Sequence, residues 1–247
     1  MRLFIEGGGP REEELRRQSI KRGHTLPDHG PWDAVVLTMP RSTVSEDVAN
    51  LLPRGQQVLC GYTDAAFDCL AKKRGWRLLR VLNDEGFTEE NAYLSAEGAV
   101  FAAMREGTAA LRDARCMVIG YGRIGQSLTG LLRAWKVRVI VAARRPESRA
   151  EAGEGSIPLS AISRALPQTD IVFNTVPANI LTASQLSFLP KDALYMELAS
   201  PPYGIAPEEA EKTHVHYVLE SGIPGRYCPS SAAGLLLDYL ERTVKTP

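Results

Sequence analysis

The chain has 247 residues, more than one average domain and enough to bury a substantial core. Lys plus Arg and Asp plus Glu both number 29, so the formal net charge is zero and no basic excess directs the chain to nucleic acid or anionic lipid. The apolar runs are strand-sized, far from the ~20 residues of a membrane helix, and a small molecule is left as the expected partner class.

Met1 to Ile5 meets Glu6 and a glycine triplet too early for a secretory signal and reads as a first buried strand. Leu3–Ile5, Asp33–Met39, Gln57–Cys60 and Arg77–Val81 are β-rich runs, and Arg11–Arg22 and Asp64–Arg74 carry helical character between them. That alternation predicts a mostly parallel sheet with helices on its faces. Ser95–Ala110 reads as a longer connecting helix with Ser95 as its N-cap.

From Arg115 onward the alternation restarts. Cys116–Ile119, Val137–Ala143, Asp170–Asn174, Ala193–Leu198 and Val215–Leu219 are the strand candidates, and Ser231–Val244 is a terminal helix with a broad apolar side. The expected fold is α/β, two Rossmann-like domains with parallel sheets, a cleft between them and a long linking helix. The first domain covers residues 1–94; residues 95–247 hold the linker helix, the dinucleotide-binding domain and the terminal helix, which either packs back on the first domain or pairs with another copy.

Gly120-Tyr121-Gly122-Arg123-Ile124-Gly125 matches G-x-G-x-x-G, with a strand before it, an amphipathic helix (Gln126–Trp135) opened by its third glycine, and a second strand beyond. Gly120 suits the tight turn, Gly122 the close approach of a diphosphate, and Gly125 close helix–strand packing. The helix N-terminus offers free N–H donors to that diphosphate.

A carboxylate at the tip of the second strand would hold ribose hydroxyls, as in NAD-binding folds. The strand here ends Ala142-Ala143-Arg144-Arg145-Pro146, and two guanidiniums suit a 2′-phosphate. NADP(H) is therefore the expected cofactor, with NAD the alternative if Arg144 and Arg145 are only a solvated helix start. Further along, Asn174-Thr175-Val176-Pro177, the loop from Ala199 and Ser200, and the turn Gly222-Ile223-Pro224-Gly225 follow successive strands and together suggest a cofactor rim.

The four cysteines are scattered, without C-x-x-C pairs, and read as reduced thiols of a cytoplasmic protein. His24, His29, His214 and His216 lie near expected turns or strand edges and read as surface residues; His214 and His216 would share a face of one strand, but two ligands without a partner carboxylate are poor evidence for a metal, and none is expected.

Tyr93 to Ala99, the glycine turn, Asn174 to Pro177, Glu197 to Ser200, and Gly222 to Gly225 with Pro229 and Ala232-Ala233-Gly234 together resemble the dipicolinate synthase A subunits. The resemblance runs from about Asn91 to the end; before that only the order of elements is similar. It implies a build like that of D-isomer hydroxyacid dehydrogenases, and NADP-linked oxidation of a dihydrodipicolinate-type ring dicarboxylate to dipicolinate. It also implies, as partner, the flavoprotein-like second component of that synthase, and a place in the mother-cell cytoplasm of a sporulating cell. Two features depart from the pattern: the N-terminal domain is short, and an Arg often found after the Ser of the Ala199-Ser200 loop is Pro201 here.

A ring dicarboxylate needs anchors. If Ser95 opens the linking helix, the amides of Ser95, Ala96 and Gly98 suit one carboxylate, and Arg41, Ser42 and Thr43 suit the other. Glu97 is either the general base or a capping partner in that first turn. Arg123 either meets the diphosphate or reaches across the cleft. Two other readings stay open: an NADP-dependent dehydrogenase of a different hydroxy or amino acid, and a non-catalytic dinucleotide-binding scaffold.

Overall fold

The structure, a computed structural model, describes residues 1–40, 42–107 and 109–244. Two α/β units divide the chain: one contains Met1–Leu94 and the chain from Pro224 onward, the other Ser95–Ile223.

In the first unit the strands β1 (Leu3–Ile5), β2 (Ala34–Val36), β3 (Gln57–Cys60) and β4 (Arg77–Arg80) form one parallel sheet in the order β1-β2-β3-β4. Thr25 makes a single parallel bridge to Arg2 at the edge of β1 not taken by β2. The chain thus runs outward once through α1 (Pro10–Lys21), then returns past β1 to build the rest through α2 (Glu46–Leu51) and α3 (Ala65–Arg74).

Side-chain alternation along the strands feeds two cores. Ala34 and Val36 face a cluster with Leu15 of α1 and Leu236, Leu237 and Leu240 of the terminal helix, while Val35 and Leu37 face Ala49 of α2 and Phe67 and Ala71 of α3. The terminal helix therefore completes the core of the first unit, which corrects its assignment to the second domain. His24 is tied to it as well, its Nε2 lying 2.9 Å from Glu241 Oε1, and its side chain is largely covered, which departs from the surface position expected.

The long helix α4 (Glu85–Glu106) crosses the division between the units. It starts well before Ser95. Asp84 is the capping residue: its carboxylate accepts the Phe87 N–H at 2.8 Å and its carbonyl the Thr88 N–H at 3.0 Å.

The second unit holds six parallel strands: β5 (Arg115–Ile119), β6 (Arg138–Ala142), β7 (Ser156–Ile157), β8 (Ile171–Asn174), β9 (Leu194–Glu197) and β10 (His216–Leu219). Their order, β10-β9-β8-β5-β6-β7, is that of a dinucleotide-binding sheet, with the switch point between β5 and β8. Helices α5 (Arg123–Ala134), α6 (Pro146–Ala152), α7 (Ile162–Ala165), α8 (Ala183–Leu186) and α9 (Pro207–Ala210) connect them, and α10 (Ile223–Tyr227) leads to the terminal helix α11 (Pro229–Thr243). Among the described residues, no helix is long and apolar enough to cross a membrane. All four cysteines are free; burial lifts the Cys60 and Cys116 thiols to about 11 and about 12.

Candidate dinucleotide site

The glycine turn joins the carboxyl end of β5 to α5, at the switch point of the second sheet. Gly120 has φ +97°, a left-handed conformation that side-chain-bearing residues rarely adopt, and its missing Cβ leaves room for Thr175 and Val176. Gly122 is the N-cap of α5, in extended backbone, with open space where a Cβ would lie. Gly125 lies inside the first turn of α5, so the helix begins at Arg123 rather than at Gln126. A Cβ on Gly125 would run into the Gly120 carbonyl oxygen.

A cavity of about 510 Å³ opens over this turn, lined by Gly120, Tyr121, Gly122, Arg144, Arg145, Thr175, Val176 and Pro177 of the expected cofactor residues. Sequence reasoning missed the rest of the lining, Ala143, Ser148, Leu159, Ala178 and Ile180. Ser148 had a signal: it is buried in the first turn of α6, just after the two arginines. Arg144 and Arg145 are exposed at the rim, and the neighbouring Arg149 holds their turn by donating to the carbonyls of Ala143 and Arg144 at 3.0 and 2.8 Å.

Diphosphate chemistry fits this arrangement. The α5 N-terminus has no side-chain cap, so its first N–H groups and the positive end of the helix dipole are available where the glycines leave space. Arg123 is exposed at the first position of α5, while Ile124 is half-buried and lies outside the cavity lining.

Asn174 belongs to a buried polar knot, not to the cavity wall. Its amide donates to Glu197 Oε1 at 2.6 Å and to the Val176 carbonyl at 3.0 Å, and its Oδ1 accepts the Val176 N–H at 3.2 Å. Glu197 ends β9 with no exposed surface. It also accepts N–H groups from Ala199 (3.1 Å) and Gly204 (2.9 Å), and the Tyr195 hydroxyl lies 3.5 Å from Oε2. Burial pushes the Glu197 carboxyl above the usual range, against the pull of its donors Asn174, Gly204, Ala199 and Tyr195. The sequence carried a trace of this knot in a carboxylate closing an otherwise apolar run, Leu194-Tyr195-Met196-Glu197.

Other expected site residues are placed differently. Ala199 is buried beneath its loop and Ser200 is exposed on it; neither lines the cavity. Gly222 has φ +62° and open space around it. Ile223, Pro224 and Gly225 open helix α10 rather than forming a turn, and the atoms nearest a Cβ on Gly225 belong to Arg11. Gly225 thus lies in ordinary contact with Arg11 and outside the cavity lining.

Ser95, Ala96 and Gly98 lie in the interior of α4, about three turns from its start. Their amides point along the helix, so the proposed grip on a carboxylate through a helix N-terminus is corrected. Glu97 is exposed on the same stretch and cannot cap a helix that starts at Glu85. Ser42 is buried with its hydroxyl committed: it donates to the Thr38 carbonyl and accepts the Gly61 N–H, both at 2.8 Å, and so holds the loop after β2. Thr43 is exposed. Arg41 lies outside the described residues.

Comparison with known proteins agrees with this architecture. The family model for the NAD binding domain of D-isomer specific 2-hydroxyacid dehydrogenases matches residues 87–199. The dipicolinate synthase A subunit of Bacillus subtilis (strain 168) is 24% identical over 212 residues, 85% of this chain and 71% of that protein. The crystal structure of the dipicolinate synthase A subunit from Bacillus halodurans superposes with a TM-score of 0.85 at 24% identity, covering 100% of this chain and 98% of that one. A transhydrogenase from Sinorhizobium meliloti superposes with a TM-score of 0.73 at 16% identity, covering 98% and 92%. The chain is thus similar to dipicolinate synthase A subunits over most of its length, shares their two-unit α/β fold, and carries a dehydrogenase-type nicotinamide-dinucleotide-binding domain.

Proposed function

We propose that the chain binds NADP(H) and oxidises a dihydrodipicolinate-type ring dicarboxylate to dipicolinate, together with a flavoprotein-like second subunit, in the cytoplasm of a sporulating cell. The observation that carries the cofactor assignment is the cavity in which a Cβ-free glycine turn and the helix N-terminus meet Arg144 and Arg145 on one rim. The α5 amides would hold the diphosphate, and the two guanidiniums with the Ser148 hydroxyl would hold a 2′-phosphate. A bound nicotinamide supplies the redox chemistry; the protein supplies position and electrostatics. Val176, Pro177 and Ile180 give the cavity an apolar wall against which the bound dinucleotide would pack.

The substrate follows from the similarity to a dipicolinate synthase A subunit, and the partner is proposed with it. Glu97, exposed and free of any capping duty, is our candidate general base. The test combines the protein with NADP⁺, a dihydrodipicolinate-generating system and the flavoprotein-like partner while dipicolinate absorbance is followed. Dipicolinate formation that requires the chain supports the proposal. Tight NADPH binding without turnover would point to a scaffold, and turnover of a hydroxy or amino acid without the partner to a different dehydrogenase.

A further inference from the structure

Four donors from three segments converge on the two oxygens of Glu197: the Asn174 amide at the end of β8, the N–H groups of Ala199 and Gly204 in the loop after β9, and the Tyr195 hydroxyl. An ionised carboxylate is the one side-chain group that accepts on both atoms throughout. The knot then reaches outward by two routes. Asn174 clamps Val176, a wall of the cavity, through both its amide and its Oδ1. The Gly204 carbonyl accepts the N–H groups of Ile180 and Leu181 at 2.9 and 3.0 Å, which joins the loop after β9 to the loop after β8. Packing leaves no slack: a Cβ on Gly204 would lie 2.5 Å from Asn174 Nδ2 and 2.6 Å from the Tyr195 hydroxyl.

The sheet order gives this knot a side. Arg144, Arg145 and Ser148 follow β6, on one flank of the glycine turn, whereas Asn174 and Glu197 close β8 and β9 on the other. A dinucleotide lying across the switch point puts its adenosine over the β6 flank and its nicotinamide riboside over the β8–β9 flank.

We propose that Glu197 is a positioning residue for the nicotinamide half of the site, setting the loops after β8 and β9 as one rigid rim without touching the ligand. This rests on the dinucleotide reading above. Its signature is a split between ligands: loss of the knot weakens a whole dinucleotide and spares an adenosine-half ligand. Global loosening of the unit would weaken both alike.

The experiment is titration calorimetry of the full chain with NADP⁺ and with adenosine 2′,5′-bisphosphate, for the wild type, Glu197→Gln and Gly204→Ala. Glutamine turns one acceptor of the knot into a donor facing other donors, so NADP⁺ is expected to bind about tenfold more weakly or worse, with the bisphosphate changed by less than about twofold. Gly204→Ala disturbs the same knot from the loop side with the carboxylate intact, and is expected to give the same split even if Glu197→Gln does not fold. Equal weakening of both ligands, or no change in either, in the folded variants overturns the inference while leaving the dinucleotide reading in place. A wild type that binds neither of these ligands nor NAD⁺ overturns both.

Discussion

The backbone of Gly125 sits so close to the carbonyl oxygen of Gly120 that a single added methyl group could not be accommodated, whereas Gly122, between them, faces open space. Two glycines of one motif thus have unequal structural costs. Gly125→Ala must push α5 away from β5, and a loss of about 1–3 kcal/mol is expected, read as a lower midpoint in thermal or denaturant unfolding. Gly122→Ala occupies extended backbone at an N-cap, where Ala is a poorer cap than Gly, and a loss of about 0.5–1 kcal/mol is expected without any clash. Its melting curve should shift only slightly, less than that of Gly125→Ala, yet its Cβ stands where the diphosphate would approach, so dinucleotide binding is expected to fall by about a hundredfold. A Gly122→Ala protein that binds the dinucleotide normally would show that the ligand does not lie over this turn.

Arg144 and Arg145 separate the two nicotinamide cofactors. Replacing both with Ala removes the cationic rim and leaves the glycine turn untouched, so NADP⁺ affinity should drop by about ten- to a hundredfold while NAD⁺ affinity stays within about twofold. Fluorescence titration with NADPH and NADH reads the ratio directly. Equal loss for both cofactors would mean that the arginines serve the fold or the diphosphate and not a 2′-phosphate.

Glu97 gives a kinetic prediction. It lies on the exposed side of α4, so Glu97→Gln should leave folding and dinucleotide affinity unchanged. If it is the base, turnover in the coupled dipicolinate assay should fall by about a hundredfold or more. Unchanged turnover would remove it from catalysis.

Much of this architecture is written locally. The strands of both sheets are short apolar runs bounded by turn residues, and the strongest of them, Cys116–Ile119 and Ile171–Asn174, are buried on both faces. The start of α4 is hidden from sequence for a physical reason. Ser95 has the chemistry of a cap, but Asp84 precedes it and takes the role, and Gly86 and Asn91 make the intervening stretch look unlike a helix. Strand β7, with two residues, and helices α7 to α9, with four each, are too short for any periodicity to show. Ser148, Leu159 and Ile180 reach the cavity only because the sheet order brings their loops together. The Glu197 knot needs partners from Asn174 to Gly204, which no local pattern announces.

At the opposite, amino end of the sheet, Arg115 and Asp170 open the neighbouring strands β5 and β8 and make a forked pair, with Nε and Nη2 donating at 3.0 and 2.9 Å and the Arg115 backbone N–H donating at 2.8 Å. The hydrogen bond from the Arg115 side chain is the main reason the Asp170 carboxyl lies below its usual 3.8. A carboxylate with a depressed folded-state pKa binds fewer protons folded than unfolded, so its contribution is complete above the unfolded value and fades as pH falls through the folded one. Asp170→Asn should therefore lower stability at pH 7, by about 1 kcal/mol after allowing for solvent screening of a pair more than a third exposed. The deficit should hold down to about pH 5 and then shrink as the wild type loses the same interaction below the ordinary aspartate value. Chemical denaturation of both proteins across that range measures it. A deficit that stays constant or grows on acidification would mean that the Asp170 charge is not what joins β5 to β8, and that the backbone ladder alone sets the register beneath the dinucleotide site.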